Sequence, residues 1–177
     1  GLQLMLRTGQ RAGEVFTMEW EEVADGGWTI PGTKTKNGKP HRVPLTRAVL
    51  ALLEEARADG SGPDGWVFAA YRGGSNRYQA ANVISRLRHA GLTGDYTRHD
   101  LRRTVATGLQ ALNLPTSTIA HVLNQSEGGP RVTQIYARHH LDTEKKTALE
   151  AWGRHLDALL TGHASRVVPF SGGRPRR

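Results

Sequence analysis

The stretch Trp28-Thr29-Ile30-Pro31-Gly32-Thr33-Lys34-Thr35-Lys36-Asn37-Gly38-Lys39-Pro40-His41-Arg42-Val43-Pro44-Leu45 decides the fold. Its two β-rich ends, Trp28 to Ile30 and His41 to Leu45, flank a Lys/Gly-rich segment, Thr33 to Pro40. Asn37-Gly38 accepts the positive φ of a tight turn, so the stretch predicts a β-hairpin. Outside it the apolar period is helical. Before it, Leu2, Leu4, Met5 and Leu6 form an apolar segment cut abruptly at its start, as in a piece of a longer protein, and Ala12 to Met18 predicts a short helix. After it, Val49, Leu50, Leu53 and Ala56 follow helix spacing up to Asp59-Gly60-Ser61-Gly62-Pro63. Further helices are expected over Tyr78 to His89, over His99 to Leu112 with Leu101, Val105, Leu109 and Leu112 as a stripe, and from Pro115 to Leu123. A short one follows a Gly-Gly-Pro break, near Arg131 to Arg138. The last covers Asp142 to Leu160, with Leu149, Trp152, Leu156 and Leu159 on one face. The expected class is mainly α with a small antiparallel β-sheet (α+β). One domain should cover residues 1–162, followed by a basic Gly/Pro-rich tail, 163–177, too poor in apolar residues to pack.

The chain of 177 residues is long enough to bury a core, although only 37% of it is hydrophobic. Its 21 glycines sit in short loops such as Asp25-Gly26-Gly27 and Ser126-Glu127-Gly128-Gly129, where they act as punctuation. A net charge of +8 favours a polyanionic partner, because Lys and Arg release counterions from a phosphate backbone; a merely soluble basic surface is the other reading. With no cysteine, disulfides and thiolate metal sites are excluded. No apolar run is long enough to span a bilayer and no signal peptide opens the chain, so a soluble intracellular protein with no membrane partner is the default expectation.

Four segments carry residues able to do chemistry. In His99-Asp100-Leu101-Arg102 the two basic residues lie three apart, on one helix face, and should turn to a groove or to solvent while Leu101 and Val105 point elsewhere. A guanidinium fork beside an imidazole suits a phosphodiester; a solvated basic face has the same spacing. In Thr8-Gly9-Gln10-Arg11-Ala12-Gly13-Glu14, Glu14 sits in a first helical turn, where it complements the helix dipole and could hold Arg11; an ordinary surface pair would look alike. Lys34, Lys36 and Lys39 crowd the hairpin, either to reach a DNA groove or to protect an edge strand. Gln134-Ile135-Tyr136-Ala137-Arg138-His139 offers a tyrosine that nothing local distinguishes from a packing residue.

Taken in order, these segments resemble the tyrosine recombinase (phage integrase) family, over about Gly1 to Leu160 and with the look of prophage or genomic-island integrases. The resemblance puts Arg11, Lys36, His99, Arg102 and Tyr136 where that family has its catalytic residues. It implies that Arg11 and Arg102 hold the nonbridging oxygens of a DNA phosphate and that Tyr136, the nucleophile, forms a 3′-phosphotyrosyl link. His99 would assist with protons, Lys36 would protonate the leaving 5′-hydroxyl, and Glu14 would support the arginines. No metal, ATP or other cofactor enters. The partners implied are double-stranded DNA recombination or attachment sites and further copies of the protein, as a homotetramer on DNA in the cytoplasm.

Three points stay open in that comparison. Counting back from Pro44 favours Lys36 as the acid, but Lys34 lies two residues away on the same expected strand, where side chains share a face. Gln125 stands where the family usually has His, occasionally Trp; it can donate a hydrogen bond but carries no charge and exchanges no proton. A catalytically impaired or inactive DNA-binding domain of the same fold is therefore the alternative. Family members also carry an N-terminal DNA-clamping domain, which these residues do not include. A metal-dependent nuclease built on His99, His121, His139 and His140 would need more carboxylates than the scattered Asp100, Glu127 and Asp142 provide. A type IB topoisomerase would share the constellation. His121 itself is expected on a helix face near the site without a catalytic task, and Trp152 and Leu156 are expected to pack their helix onto the domain or onto a neighbouring protomer.

Overall fold

The computed structural model describes residues 1–60, 65–68, 82, 84, 85, 87–89, 91, 94, 97–125 and 138–162. Six helices are complete among them: α1 (Leu2–Thr8), α2 (Ala12–Phe16), α3 (Arg47–Ala58), α4 (Arg98–Ala111), α5 (Thr116–Val122) and α6 (Arg138–Leu160). Between α2 and α3 lie a single 3₁₀ turn, Trp20–Glu22, and three short strands, β1 (Val23–Ala24), β2 (Gly27–Ile30) and β3 (His41–Pro44). The chain is mainly helical with one small antiparallel sheet, as its apolar period predicts.

The sheet runs in the order β1-β2-β3, and in the β2–β3 ladder Trp28 faces Val43 while Ile30 faces His41. Side chains alternate across a strand, so this register sends Trp28, Ile30, Val43 and His41 inward and leaves Thr29 exposed. β1 was not expected. Its signal is Asp25-Gly26, both at positive φ (49° and 66°), the pattern of a two-residue hairpin turn. The hairpin also differs from expectation: residues 31–40 are a chain of turns and bends, not extended strand arms. Lys34 and Lys36 thus do not share a strand face. Thr35 Oγ1 closes the loop on itself by donating to Lys39 O at 2.8 Å.

The core packs α1, α4 and α6 against one another, with α6 also on β3, and Trp28 and Trp152 are its largest fully buried side chains. Trp152 fits because residue 108, in the middle of α4, is glycine: a Cβ there would lie 2.1 Å from the indole ring. The indole Nε1 donates to Leu6 O at 2.8 Å, and with Leu149 and Leu156 it seats α6 on this domain. Leu159 departs from the expected stripe and is 51% exposed, and the helix begins at Arg138 rather than Asp142. At that end Asp142 pairs with both Arg42 (3.2 Å) and Lys145 (2.8 Å), while the buried Lys145 donates to Arg42 O, pinning α6 to β3. Pro115 caps α5 from outside rather than opening it. Of the expected Tyr78–His89 helix, residues 82, 84, 85 and 87–89 are helical and the rest lie outside the described residues. The expected Arg131–Arg138 helix, apart from Arg138 itself, and the expected unpacked tail, 163–177, also lie outside them.

Candidate functional site

Arg11, His99 and Arg102 line one open cleft of about 330 Å³, together with Ala12, Gly13, Thr97 and Arg98. Each is positioned by a helix start. α1 ends at Gly9 in the left-handed conformation (φ 70°), which reverses the chain tightly enough for Arg11 to cap α2. A Cβ at Gly9 would also lie 2.6 Å from Leu123 Cδ2 and 3.1 Å from Val105, so only glycine lets this turn lie against α4 and the end of α5. The other wall is the start of α4. Thr97 and Asp100 lock it, with the Asp100 carboxylate accepting from Thr97 N (2.6 Å) and Thr97 Oγ1 (2.8 Å). Those bonds from Thr97, with Arg103 adding less, hold the Asp100 pKa below its ordinary value. His99, within this first turn, is exposed.

Glu14 is 2% exposed and grips Arg11 twice: one oxygen accepts the Arg11 backbone N–H at 2.8 Å, the other its Nη1 at 2.8 Å. A buried carboxylate bonded in this way fixes the guanidinium rather than merely neighbouring it. Arg102, expected with His99 to face a groove or solvent, lines the cleft but is buried. It is 5% exposed, with Nη1 donating to Gly9 O at 2.9 Å and Nη2 to Leu123 O. Two backbone carbonyls thus anchor the fork and fix its angle to the cleft. Burial first, then repulsion from Arg11, lowers the Arg102 pKa to about 10, with Glu14 opposing. Arg102 still carries its charge at neutral pH, and with Arg11 beside it the cleft crowds like charges that a bound anion would relieve.

Gln125 does not line that cleft. It lies in a second cavity of about 590 Å³, with His41, Arg42, His121, Asn124, Asp142 and Lys145 among its walls. One turn links the walls of the two cavities, since Leu123 O holds Arg102 and residues 124 and 125 follow directly. Lys36 is exposed on the β2–β3 loop. Lys34, the other lysine of the loop, has its Nζ bound by Thr17 O (2.7 Å), Glu19 (2.5 Å) and Glu22, and it lies 5.1 Å from the Trp66 ring centroid. Glu22 also accepts from Trp28 Nε1 at 2.9 Å, so Lys34 roots the loop in the domain. Tyr136 lies outside the described residues. Among the described residues no group of three or more His, Asp or Glu could hold a metal ion, and His99 and His121 line different cavities. Among them, too, no helix is long and apolar enough to cross a membrane.

Sequence reasoning passed over three residues here. Gln10, fully buried, donates from Nε2 to Thr8 O and Val122 O, both at 2.9 Å, tying the Arg11 turn to α5. His41 is buried by its strand register, and its Nε2 has no hydrogen-bond partner. Burial, then Lys145, then more weakly Arg102 and Arg11, lower its pKa to about 4, a backbone hydrogen bond with Val122 acting the other way. Asn124, at φ 47°, shapes the turn that precedes Gln125. Gln10 carries no sequence signal; the other two follow from register and turn chemistry.

Comparison with known proteins gives a family and a fold. The model of the phage integrase family matches residues 2–143. The prophage integrase IntA of Escherichia coli (strain K12) is 25% identical over 169 residues, which are 92% of this chain and 40% of that protein. The chain thus spans less than half the length of this curated relative. The lambda integrase catalytic core has the same fold, with a TM-score of 0.55 at 23% identity over 73% of this chain and 81% of that one. A lambda integrase dimer bound to a COC′ core site superposes with a TM-score of 0.57 at 22% identity, over 76% and 52% of the two chains.

Proposed function

The chain belongs to the phage integrase family, and from that premise we propose that residues 1–162 form the catalytic domain of a site-specific DNA recombinase that cuts and rejoins strands through Tyr136. The observation that carries this reading is the cleft itself: Arg11, Arg102 and His99 share one opening with Arg98, and Arg11 is gripped by a buried carboxylate and Arg102 by two carbonyls.

A phosphodiester carries one negative charge and its pentavalent transition state about two, so fixed cations gain most as the reaction proceeds. Arg11 and Arg102 take the nonbridging oxygens. Tyr136 Oη bonds to phosphorus and gives up its proton, with His99 assisting. The P–O5′ bond breaks, and the leaving oxygen is protonated by Lys36. Lys36 takes this role rather than Lys34, because an ammonium held by two carboxylates is poorly placed to travel to a leaving group. Attack by another 5′-hydroxyl reverses the sequence, so the energy of the broken bond is kept and neither ATP nor a metal is needed. The partner is double-stranded DNA carrying a recombination site, engaged by four copies of the protein; the lambda integrase dimer bound to a core site supports DNA binding by more than one copy.

The test is a nicked suicide duplex carrying the recombination site. The expected result is a covalent protein–DNA adduct, insensitive to EDTA and lost in Tyr136→Phe. An adduct that survives that substitution would take the nucleophile's role from Tyr136. A second reading has one observation in its favour: Gln125 is uncharged and lines a different cavity from the arginines. It makes the domain a DNA-binding module with impaired chemistry, and it predicts binding without an adduct.

A further inference from the structure

The β2–β3 loop and the turn before Gln125 are joined by one side-chain contact. Asn37 Nδ2, at the loop tip, donates to Asn124 Oδ1 at 3.0 Å across 87 residues of sequence. Asn37 is aimed by its other end: its Oδ1 accepts from Lys39 N at 3.2 Å, an Asx-turn that fixes the amide. Asn124 sits between Leu123, whose carbonyl anchors Arg102, and Gln125, in a left-handed conformation that asparagine tolerates. The loop is braced internally by Thr35 and rooted by Lys34. What those contacts leave free is a swing of the tip relative to α5, and the Asn37–Asn124 bond opposes that swing.

We propose that Asn37 and Asn124 are positioning residues for strand cleavage, their amide–amide hydrogen bond holding the Lys36 loop to the turn that anchors Arg102. The general acid and the phosphate clamp are then set by one unit. A proton donor must come within hydrogen-bond reach of the leaving oxygen, so a tip free to swing delivers its proton less often. The inference rests on the role given to Lys36 above.

The test compares single-turnover cleavage of two nicked duplexes, one ordinary and one with sulfur in place of the bridging 5′-oxygen. In the second the P–S bond breaks and the sulfur leaves as a thiolate, which requires no proton because thiols are far more acidic than alcohols. Asn37→Ser keeps an acceptor for Lys39 N, and Asn124→Gly keeps the left-handed backbone, so each removes the latch and spares the local turn. Each should slow cleavage of the ordinary duplex about fivefold, the size of one hydrogen bond's net worth. The double variant should be no slower than either single one, and all three should cleave the sulfur duplex at the unsubstituted rate. Lys36→Ala, slowed on the order of 100-fold on oxygen, should likewise recover on sulfur. If the asparagine variants slow both duplexes alike, slow neither, or add in the double variant, the latch is overturned while Lys36 keeps its role. If Lys36→Ala does not recover on sulfur, it is the acid assignment that fails, and the latch fails with it.

Discussion

Lowering the pH from 7.5 to 5.0 should cost this fold a defined part of its stability through His41 alone. The residue is 7% exposed on the inward face of β3, and its pKa falls from 6.5 to about 4 because burial and the nearby Lys145 penalise a charged ring. With the folded value depressed, the unfolded chain takes up a proton first as pH drops through 6.5, while the folded ring stays neutral until about 4. The stability associated with a neutral His41 is therefore complete above 6.5 and lost progressively toward 4. Each unit of displacement is worth about 1.4 kcal/mol, so the full loss is about 3 kcal/mol and the part reached at pH 5.0 about 2 kcal/mol. Glu19 and Asp100, whose pKa values are also lowered, are present in both proteins compared, so their contribution cancels in the difference. Urea unfolding of the unsubstituted chain and of His41→Asn, at both pH values, isolates the term. The substituted amide cannot titrate, so its unfolding free energy should fall by about 2 kcal/mol less between the two pH values. If both proteins lose the same amount, His41 is not held neutral and the account of its burial is wrong.

Glu14→Gln removes the charge that fixes Arg11 while keeping the shape; an adduct rate about tenfold lower, with DNA affinity nearly unchanged, is expected from single-turnover cleavage and filter binding. Gly9→Ala combines left-handed strain with a Cβ 2.6 Å from Leu123, and should destabilise the fold by about 2–4 kcal/mol in urea unfolding. Gln125→His supplies a group that can carry charge and exchange a proton next to the Arg102 anchor; it should raise cleavage, and an unchanged rate would mean that position 125 does not reach the phosphate.

Periodicity made the framework legible. Leu4 and Met5, Val49 and Leu53, Val105 and Leu109, and Leu149, Trp152 and Leu156 are buried because their spacing turns them to one side of a helix. The sheet was legible only in part. Two residues are too few for β1 to show a period, and its evidence lay in the Asp25-Gly26 turn. Residues 31–40 form turns instead of strand arms, consistent with Thr35 and Asn37 bonding the nearby backbone in place of a ladder. Leu159 has the helical spacing of the stripe but, one residue from the end of α6, is exposed.

The site was legible by residue type and not by environment, and the difference bears on mechanism. Sequence spacing brings His99 and Arg102 to one face of α4, yet one is exposed and the other buried, because Arg102 reaches past the helix to the Gly9 and Leu123 carbonyls. Those carbonyls come from two other parts of the chain, so no local pattern announces them. They also set the energetics: the anchor holds Arg102 where burial and Arg11 make its charge costly, Glu14 offsets part of that cost, and a bound anion would offset more. A site built this way should be stabilised by anions. Inorganic sulfate or pyrophosphate should raise the melting temperature of the unsubstituted chain, and should do so much less for Arg11→Ala, which lacks one of the two guanidinium groups assigned to the phosphate. Equal stabilisation of the two proteins would place the anion elsewhere, and the crowded arginines would then be a structural pair rather than the seat of a phosphate.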